Sequence, residues 1–365
     1  LRWNVISPAF QGRLLFPALG AINALLAVGL LAWARRESTR IRLAASVGGG
    51  FFLLAALLPW LVIRPVYALP EALTAVPPAA AIDPITFTAP DGALRLVGVE
   101  MAEGQSTTPA GDPIVVALYW QAATPVAADY ISSVHLLGRE FVSVGQVDRY
   151  PAFGLIPTSR WQPGDIYRDV YHVYVGETAV APAQLRAAVS LYDTDAARPL
   201  PAASQDGQPI DPLLVGPPAR LAAIEPPPEP ATRLDVAFAE GITLAGYTWG
   251  AETAVSGQTI PLTLFWQASA APSQDYTVFV QLLDADRQWL AGADAPPVNN
   301  FYPTTLWQPG DVIDDTHLLT IPADLPPGHY PILLGMYNPD TGTRLPRQDG
   351  ASDFVEIGLE IEAGD

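Results

Sequence analysis

The chain has no cysteine among its 365 residues, which removes disulfide frameworks and thiolate metal sites from consideration. Lysine is absent as well: all 19 basic residues are arginine, a bias that with 38 prolines reads as composition rather than chemistry. Two histidines spaced as metal ligands on one strand are lacking, as are a Gly-x-Ser-x-Gly elbow and a His-Glu-x-x-His helix. Zinc sites and Ser-His-Asp catalysis therefore have no support in the sequence, and neither a cofactor nor a resident metal is expected. Positive charge is scarce and unevenly placed. Residues 1–65 carry seven arginines against Glu37, whereas residues 66–365 carry 12 arginines against 36 carboxylates, for a net charge of −18 overall. A surface of that sign repels a polyanion, so nucleic acid is not an expected partner.

Charge is missing altogether from two long runs, Leu14–Ala34 and Leu43–Ile63. Each is 21 residues and would rise about 30 Å as a helix, enough to cross the hydrocarbon core. The eight residues between them include Arg35, Arg36, Arg40 and Arg42, which predicts a tight hairpin with a cytoplasmic turn and both ends outside. Residues 1–66 are thus expected to form a transmembrane hairpin in the cell membrane, multi-pass, with everything after Arg64 extracytoplasmic. The bilayer is the first expected partner.

The remainder is written twice. Trp161-Gln162-Pro163-Gly164-Asp165 recurs 146 residues later as Trp307-Gln308-Pro309-Gly310-Asp311. At the same offset Tyr119-Trp120-Gln121-Ala122 matches Phe265-Trp266-Gln267-Ala268, Asp129-Tyr130 matches Asp275-Tyr276, and Pro157-Thr158 matches Pro303-Thr304. Towards the ends the register slips by a residue or two, with Gly98 opposite Gly246, as loop insertions would produce. Runs rich in β-branched and aromatic residues, bounded by turn formers, predict strands at Ile114–Trp120, Tyr130–Leu137, Tyr167–Val175, Ile260–Gln267, Tyr276–Leu283, Asp311–Ile321 and Tyr330–Tyr337. The expected fold is mainly β: two tandem β-sandwiches of immunoglobulin-like or jelly-roll type, at 91–215 and 233–365. Pro-rich 67–90 and 216–232 read as extended linkers.

A tryptophan followed by a Pro-Gly turn suits two roles. Trp161 and Trp307 either stack on a sugar ring or fill the sandwich, and their unchanged spacing favours the second. Trp120 and Trp266, within apolar strands, read as core. Trp249, Trp289 and Tyr302 have no counterpart in the first copy, and Trp289 and Tyr302 join Trp161 and Trp307 as the carbohydrate-binding candidates. His135, His172, His317 and His329 are not shared between copies and read as ordinary strand residues. Asp284 with Asp286, Asp314 with Asp315, and Asp193 with Asp195 supply oxygens for calcium without the spacing of a dedicated loop.

Gln11-Gly12-Arg13-Leu14-Leu15-Phe16-Pro17-Ala18-Leu19, opening an apolar span, resembles a late membrane helix of bacterial multi-spanning glycosyltransferases of the GT-C superfamily, in the dolichyl-phosphate-mannose–protein mannosyltransferase-like group. The duplicated pattern with Leu191-Tyr192-Asp193, and with Arg344-Leu345-Pro346 closing its second copy, is similar to β-rich modules appended to such proteins. The resemblance implies a non-catalytic carboxy-terminal part of an enzyme that moves a sugar from a polyprenyl-phosphate donor to an outer acceptor. It also implies Arg13 as a contact for lipid phosphate, whose geometry a guanidinium matches, and names glycan, polyprenyl-phosphate sugar and the remainder of the same membrane protein as partners. The other expectation is a membrane-anchored surface protein whose sandwiches are spacers or adhesion modules.

Overall fold

The computed structural model describes residues 36–64 and 71–362 apart from 103, 194, 211–213 and 252, together with 25, 26, 28, 29, 32 and 69; the side chains of 62 and 63 are outside the description. The chain divides into two compact units, Leu1–Leu69 and Pro70–Asp365.

In the first unit, α1 runs from Glu37 to Leu58 and continues through one wide turn, Pro59–Ile63, closed by the Arg64 N–H on the Pro59 carbonyl. Its Leu, Ala and Phe content favours a helix, Glu37 in the first turn suits the positive helix start, and Pro59 forces the widened turn by removing a donor. None of its residues is buried, and Glu37–Leu61 is, among the described residues, the one helix long and apolar enough to cross a membrane. Of the expected two-helix hairpin, the second span is therefore described. The first, 14–34, lies outside the described residues except for helical positions 25, 26, 28, 29 and 32. The eight-residue turn is shorter than expected, because Glu37 to Arg42 are already helical. Nothing in that segment breaks a helix, so the helix start extends back to the extended residue Arg36.

The second unit contains two β-sandwiches, and strand makes up 46% of the chain. The first has β1 (Ala81–Ala89), β2 (Gly92–Met101), β3 (Ile114–Thr124), β4 (Ile131–Leu137), β5 (Ser143–Arg149), β6 (Ile166–Val173), β7 (Ala183–Asp193) and β8 (Leu214–Leu221). The second repeats these as β9 (Thr232–Ala237), β10 (Ile242–Trp249), β11 (Thr259–Ala268), β12 (Thr277–Leu283), β13 (Trp289–Gly292), β14 (Val312–Thr320), β15 (Gly328–Tyr337) and β16 (Val355–Glu362). One sheet has the order β1-β2-β3-β6 and its partner β8-β7-β4-β5; the copies are β9-β10-β11-β14 and β16-β15-β12-β13. Even the short parallel pairing of Ser106–Thr107 with β8 recurs, as Ala254–Val255 with β16.

Alternation sets which side chains go inside. Along β7, Ala183, Leu185, Ala187, Val189 and Leu191 are buried while the residues between them are not. In β3, Val116, Leu118, Trp120 and Ala122 enter the core between the sheets. Trp120 meets Phe87 edge-on with ring centres 5.5 Å apart, and Trp266 meets Phe238 at 6.2 Å, so the same aromatic pair seeds both cores. Each sandwich has its own core.

Both linkers are shorter than their proline content implies. Residues 81–89 are strand β1, not spacer, and Pro217-Pro218 lies inside β8 at a register shift between Val215 and Ala219. A bulge is where a sheet tolerates proline, which is why Pro-rich sequence hid two strands. Residues 71–80 and 222–231 are straps folded back on the outer sheet faces. A Cβ at Gly98 would lie 2.6 Å from Val76, and one at Gly246 2.8 Å from Pro230, so the glycines paired by the duplication are the points each strap crosses.

Candidate functional site

The twin motif is a folding clamp. Trp161 and Trp307 are 3% and 0% exposed, and each indole N–H donates at 3.0 Å to the carbonyl five residues earlier, Ile156 and Tyr302. The following Gln-Pro-Gly-Asp is a tight turn with Gly164 and Gly310 at φ +93° and +97°, closed by Asp165 N–H on Gln162 O and Asp311 N–H on Gln308 O. The other repeated residues complete it. Thr158 accepts from Tyr130 N–H and donates to Ala128 O, Thr304 does the same with Tyr276 and Gln274, and Asp129 and Asp275 cap Ser159 and Thr305. Neither tryptophan offers a face to a sugar. This corrects the carbohydrate candidacy of Trp161 and Trp307, because the residues kept through duplication are the ones that tie the 157–165 and 303–311 turns to the sheet.

Tyr302 is corrected on the same ground: it is 0% exposed and lies in a joint between the sandwiches. Its hydroxyl donates to Asp311 at 2.7 Å and accepts from the Arg220 guanidinium of β8 at 2.8 Å, while Arg220 also reaches Asp311 at 2.5 Å and Ser106 at 3.0 Å. Burial first, then the Asp311 hydrogen bond and charge, hold the Tyr302 hydroxyl well above its ordinary value. For Arg220 burial works against the charge, and Tyr302 and Asp311 outweigh it, so its value is raised. Around this cluster Gln184 donates to the backbone carbonyls of Phe301 and Asn300, and Phe141 meets Phe301 edge-on at 5.6 Å. Arg139 donates twice to Pro182 O; burial lowers its value against the pull of Asp314 and Asp315 of the second sandwich. Arg220→Ala is expected to cost about 1.5–3 kcal/mol, as for a lost charged hydrogen bond, and to broaden the inter-sandwich distances seen by X-ray scattering while leaving both cores intact. Unchanged scattering would show that the joint does not depend on it.

Trp289 stands apart from the other indoles of the two sandwiches. It is 65% exposed on the edge strand β13, with its indole nitrogen over Gly292, where a Cβ would lie 3.4 Å away. Its cross-strand neighbours are Leu283 and, through Gly292, Gln281, whose amide oxygen accepts from Arg344 at 2.9 Å. Two residues before it, Arg287 holds Glu356 at 2.7 Å. Beneath, Phe279, Leu283 and Leu333 form a small buried cluster on this outer face. An open indole face can cover an apolar pyranose face, and guanidinium, carboxylate and amide groups on the same sheet are the types that hydrogen-bond sugar hydroxyls. Trp249, the other unmatched tryptophan, is half-buried against the core.

Arg13 lies outside the described residues. His172 is exposed, and His329 lies across Gly358 with Glu360 at 3.3 Å. Asp193 and Asn338 each cap the two residues that follow by one, Asp195 and Ala196 or Asp340 and Thr341, so turn formation accounts for this matched pair. Among the described residues no group of three or more His, Asp or Glu side chains is arranged to hold a metal ion. On the first sandwich Ser143, His135, Ser133 and Asp148 form a chain of bonds at 3.0, 2.8 and 2.5 Å. Here the carboxylate faces Ser133 rather than the imidazole, so it does not orient a base, and the chain reads as a polar ladder across β4 and β5.

No family model and no curated protein matches the chain. Solved structures to which it is similar include a transglutaminase of red sea bream, at 8% identity and a TM-score of 0.21 over 72% of this chain and 31% of that one. Another is the Y1175G mutant of Salmonella alpha-2-macroglobulin, at 11% identity and 0.20, over 80% of this chain and 16% of that one. The chain thus spans under a third of either.

Proposed function

We propose that the chain is the non-catalytic, extracytoplasmic carboxy-terminal part of a membrane glycosyltransferase-like protein. In this reading its sandwiches, immunoglobulin-like in their connections, form a stiff arm that holds a glycan acceptor at Trp289. The observation that carries it is the contrast among the aromatics: Trp161, Trp307 and Tyr302 are sealed into clamp and joint, while Trp289 alone of these lies open, on an edge strand paired with the strand that carries Gln281 and Leu283. The joint supports the arm, since a hydrogen-bonded contact between sandwiches holds one at a set angle to the other. Helix α1, with none of its residues buried, supports anchoring in a bilayer with Arg64 and Trp60 at an interface.

Titrating the full chain in nanodiscs against a glycan array tests the site. A bound glycan is expected, and Trp289→Ala should weaken it at least about tenfold while changing stability by under about 0.5 kcal/mol, as for an exposed position. An array with no binder removes the glycan role and leaves the second reading, a membrane-anchored surface protein whose sandwiches act as spacers or adhesion modules; the hydrogen-bonded joint is what favours that one.

A further inference from the structure

The loop that plugs the second sandwich into the first has a twin. Residues 297–302 and 151–156 match at the 146-residue offset and share an unusual backbone: Val298, Asn299 and Asn300 have φ of 51°, 51° and 67°, and Ala152, Phe153 and Gly154 have 52°, 55° and 74°. Consecutive left-handed residues with side chains are costly, and strain kept in both copies points to a use. In the second copy the use is visible, because Asn300 and Phe301 receive Gln184 of the preceding sandwich. The first copy has Phe153 opposite Asn299, one residue before the Asn300 position. Its ring is 79% exposed, with the Arg149 guanidinium 4.1 Å from its centre.

What precedes the first sandwich is the apolar helix. The strap joins this same end of the sandwich, where Leu73 N–H bonds Ile166 O at 2.7 Å, next to the clamp turn. Leu73 is nine residues after Arg64 (73 − 64), so the chain between them reaches at most about 30 Å. We infer that the 151–156 loop is a second contact with the lipid surface, Phe153 entering the interfacial layer as the twin loop, through Asn300 and Phe301, meets the neighbouring sandwich. An aromatic ring backed by a guanidinium suits that layer. The Arg149 guanidinium behind the ring is already paired with Asp169 at 2.7 Å, so the contact rests on the ring and should not depend on anionic lipid. The inference rests on the reading that α1 crosses a bilayer.

Since the chain has no cysteine, single-site labelling is clean. The full chain in phosphatidylcholine nanodiscs would carry an environment-sensitive nitrobenzoxadiazole label at Phe153→Cys, at Trp60→Cys, or at Leu318→Cys on the exposed face of β14. The expected result is blue-shifted emission at 60 and 153, quenched by lipids spin-labelled near the headgroup, with neither effect at 318 and no gain on adding phosphatidylserine. Quenching at 60 without quenching at 153 would overturn this contact and leave the anchor standing, whether or not the label at 153 is blue-shifted by protein. Absence of quenching at 60 would overturn both.

Discussion

Trp307→Ala should lower the stability of the second sandwich by about 3–5 kcal/mol, the range for truncating a large buried aromatic. The side chain is 0% exposed, so the substitution leaves a cavity among Tyr276, Tyr302 and Leu306 in the same core. It also orphans the Tyr302 carbonyl that the indole served. Trp161→Ala makes the same change in the first sandwich. The two differ in what the clamp holds. Behind Trp307 lie Tyr302 and Asp311, both bonded to Arg220, so its loss should open the joint; behind Trp161 lie Ile156 and Asp165, and the joint should survive. Chemical denaturation followed by X-ray scattering on each variant separates these effects. A loss under about 1 kcal/mol for Trp307→Ala, or an equal effect of both variants on the joint, would refute the clamp as the element that positions the docking loop.

Much of this was legible in the sequence. Strand positions in both copies fall within a few residues of the expected runs, because alternation and β-branching were strong in Ile114–Trp120 and Ile260–Gln267. The constant offset gave the two sandwiches. The straps were not legible: proline composition outweighs the alternating Ile85, Phe87 and Ala89 in a reading by composition, although Gly98 opposite Gly246 was a signal that something crosses there. Tyr302 and Trp289 looked alike as unmatched aromatics. Their opposite fates follow from Arg220, 91 residues from Asp311 in sequence, and no local pattern records such a pairing. The plug loop was missed too, because left-handed backbone at Ala152 and Phe153 has no residue signature of the kind glycine gives.

The duplication also explains a buried charge that the sequence treated as an ordinary histidine. Asp169 and Asp315 occupy matching positions and are both buried. In the first sandwich Asp169 is bonded by Arg149 at 2.7 Å and by the Tyr171 hydroxyl at 2.5 Å. Alanine 295 stands where Arg149 would be, and His317 replaces Tyr171. The imidazole contacts Ala293 O at 2.8 Å through Nδ1 and Asp315 Oδ2 at 2.7 Å through Nε2. Both partners accept, so both ring nitrogens donate, and His317 is the cation that Arg149 supplies in the other copy. Burial opposes that charge, while the Asp315 hydrogen bond and charge, the Ala293 carbonyl and Asp294 outweigh it, raising His317 above its ordinary 6.5. A histidine raised on folding contributes stability that is whole below its unfolded value and is lost as pH climbs through the folded one. The second sandwich should therefore weaken as pH rises past the ordinary histidine value of 6.5 and on through the raised folded one, in step with His317, whereas the first sandwich has no histidine at this position. Asp315→Ala should cost about 3–5 kcal/mol at the acid end by stranding the imidazolium, and it also frees Val298 N–H, which Asp315 Oδ1 holds at 2.9 Å in the plug loop. The discriminating variant carries Ala295→Arg with His317→Tyr, which transplants the first copy's arrangement. Urea denaturation across that range should show its pH slope flattened to that of the first sandwich. A slope that persists would mean that another group titrates there and that His317 is neutral when folded.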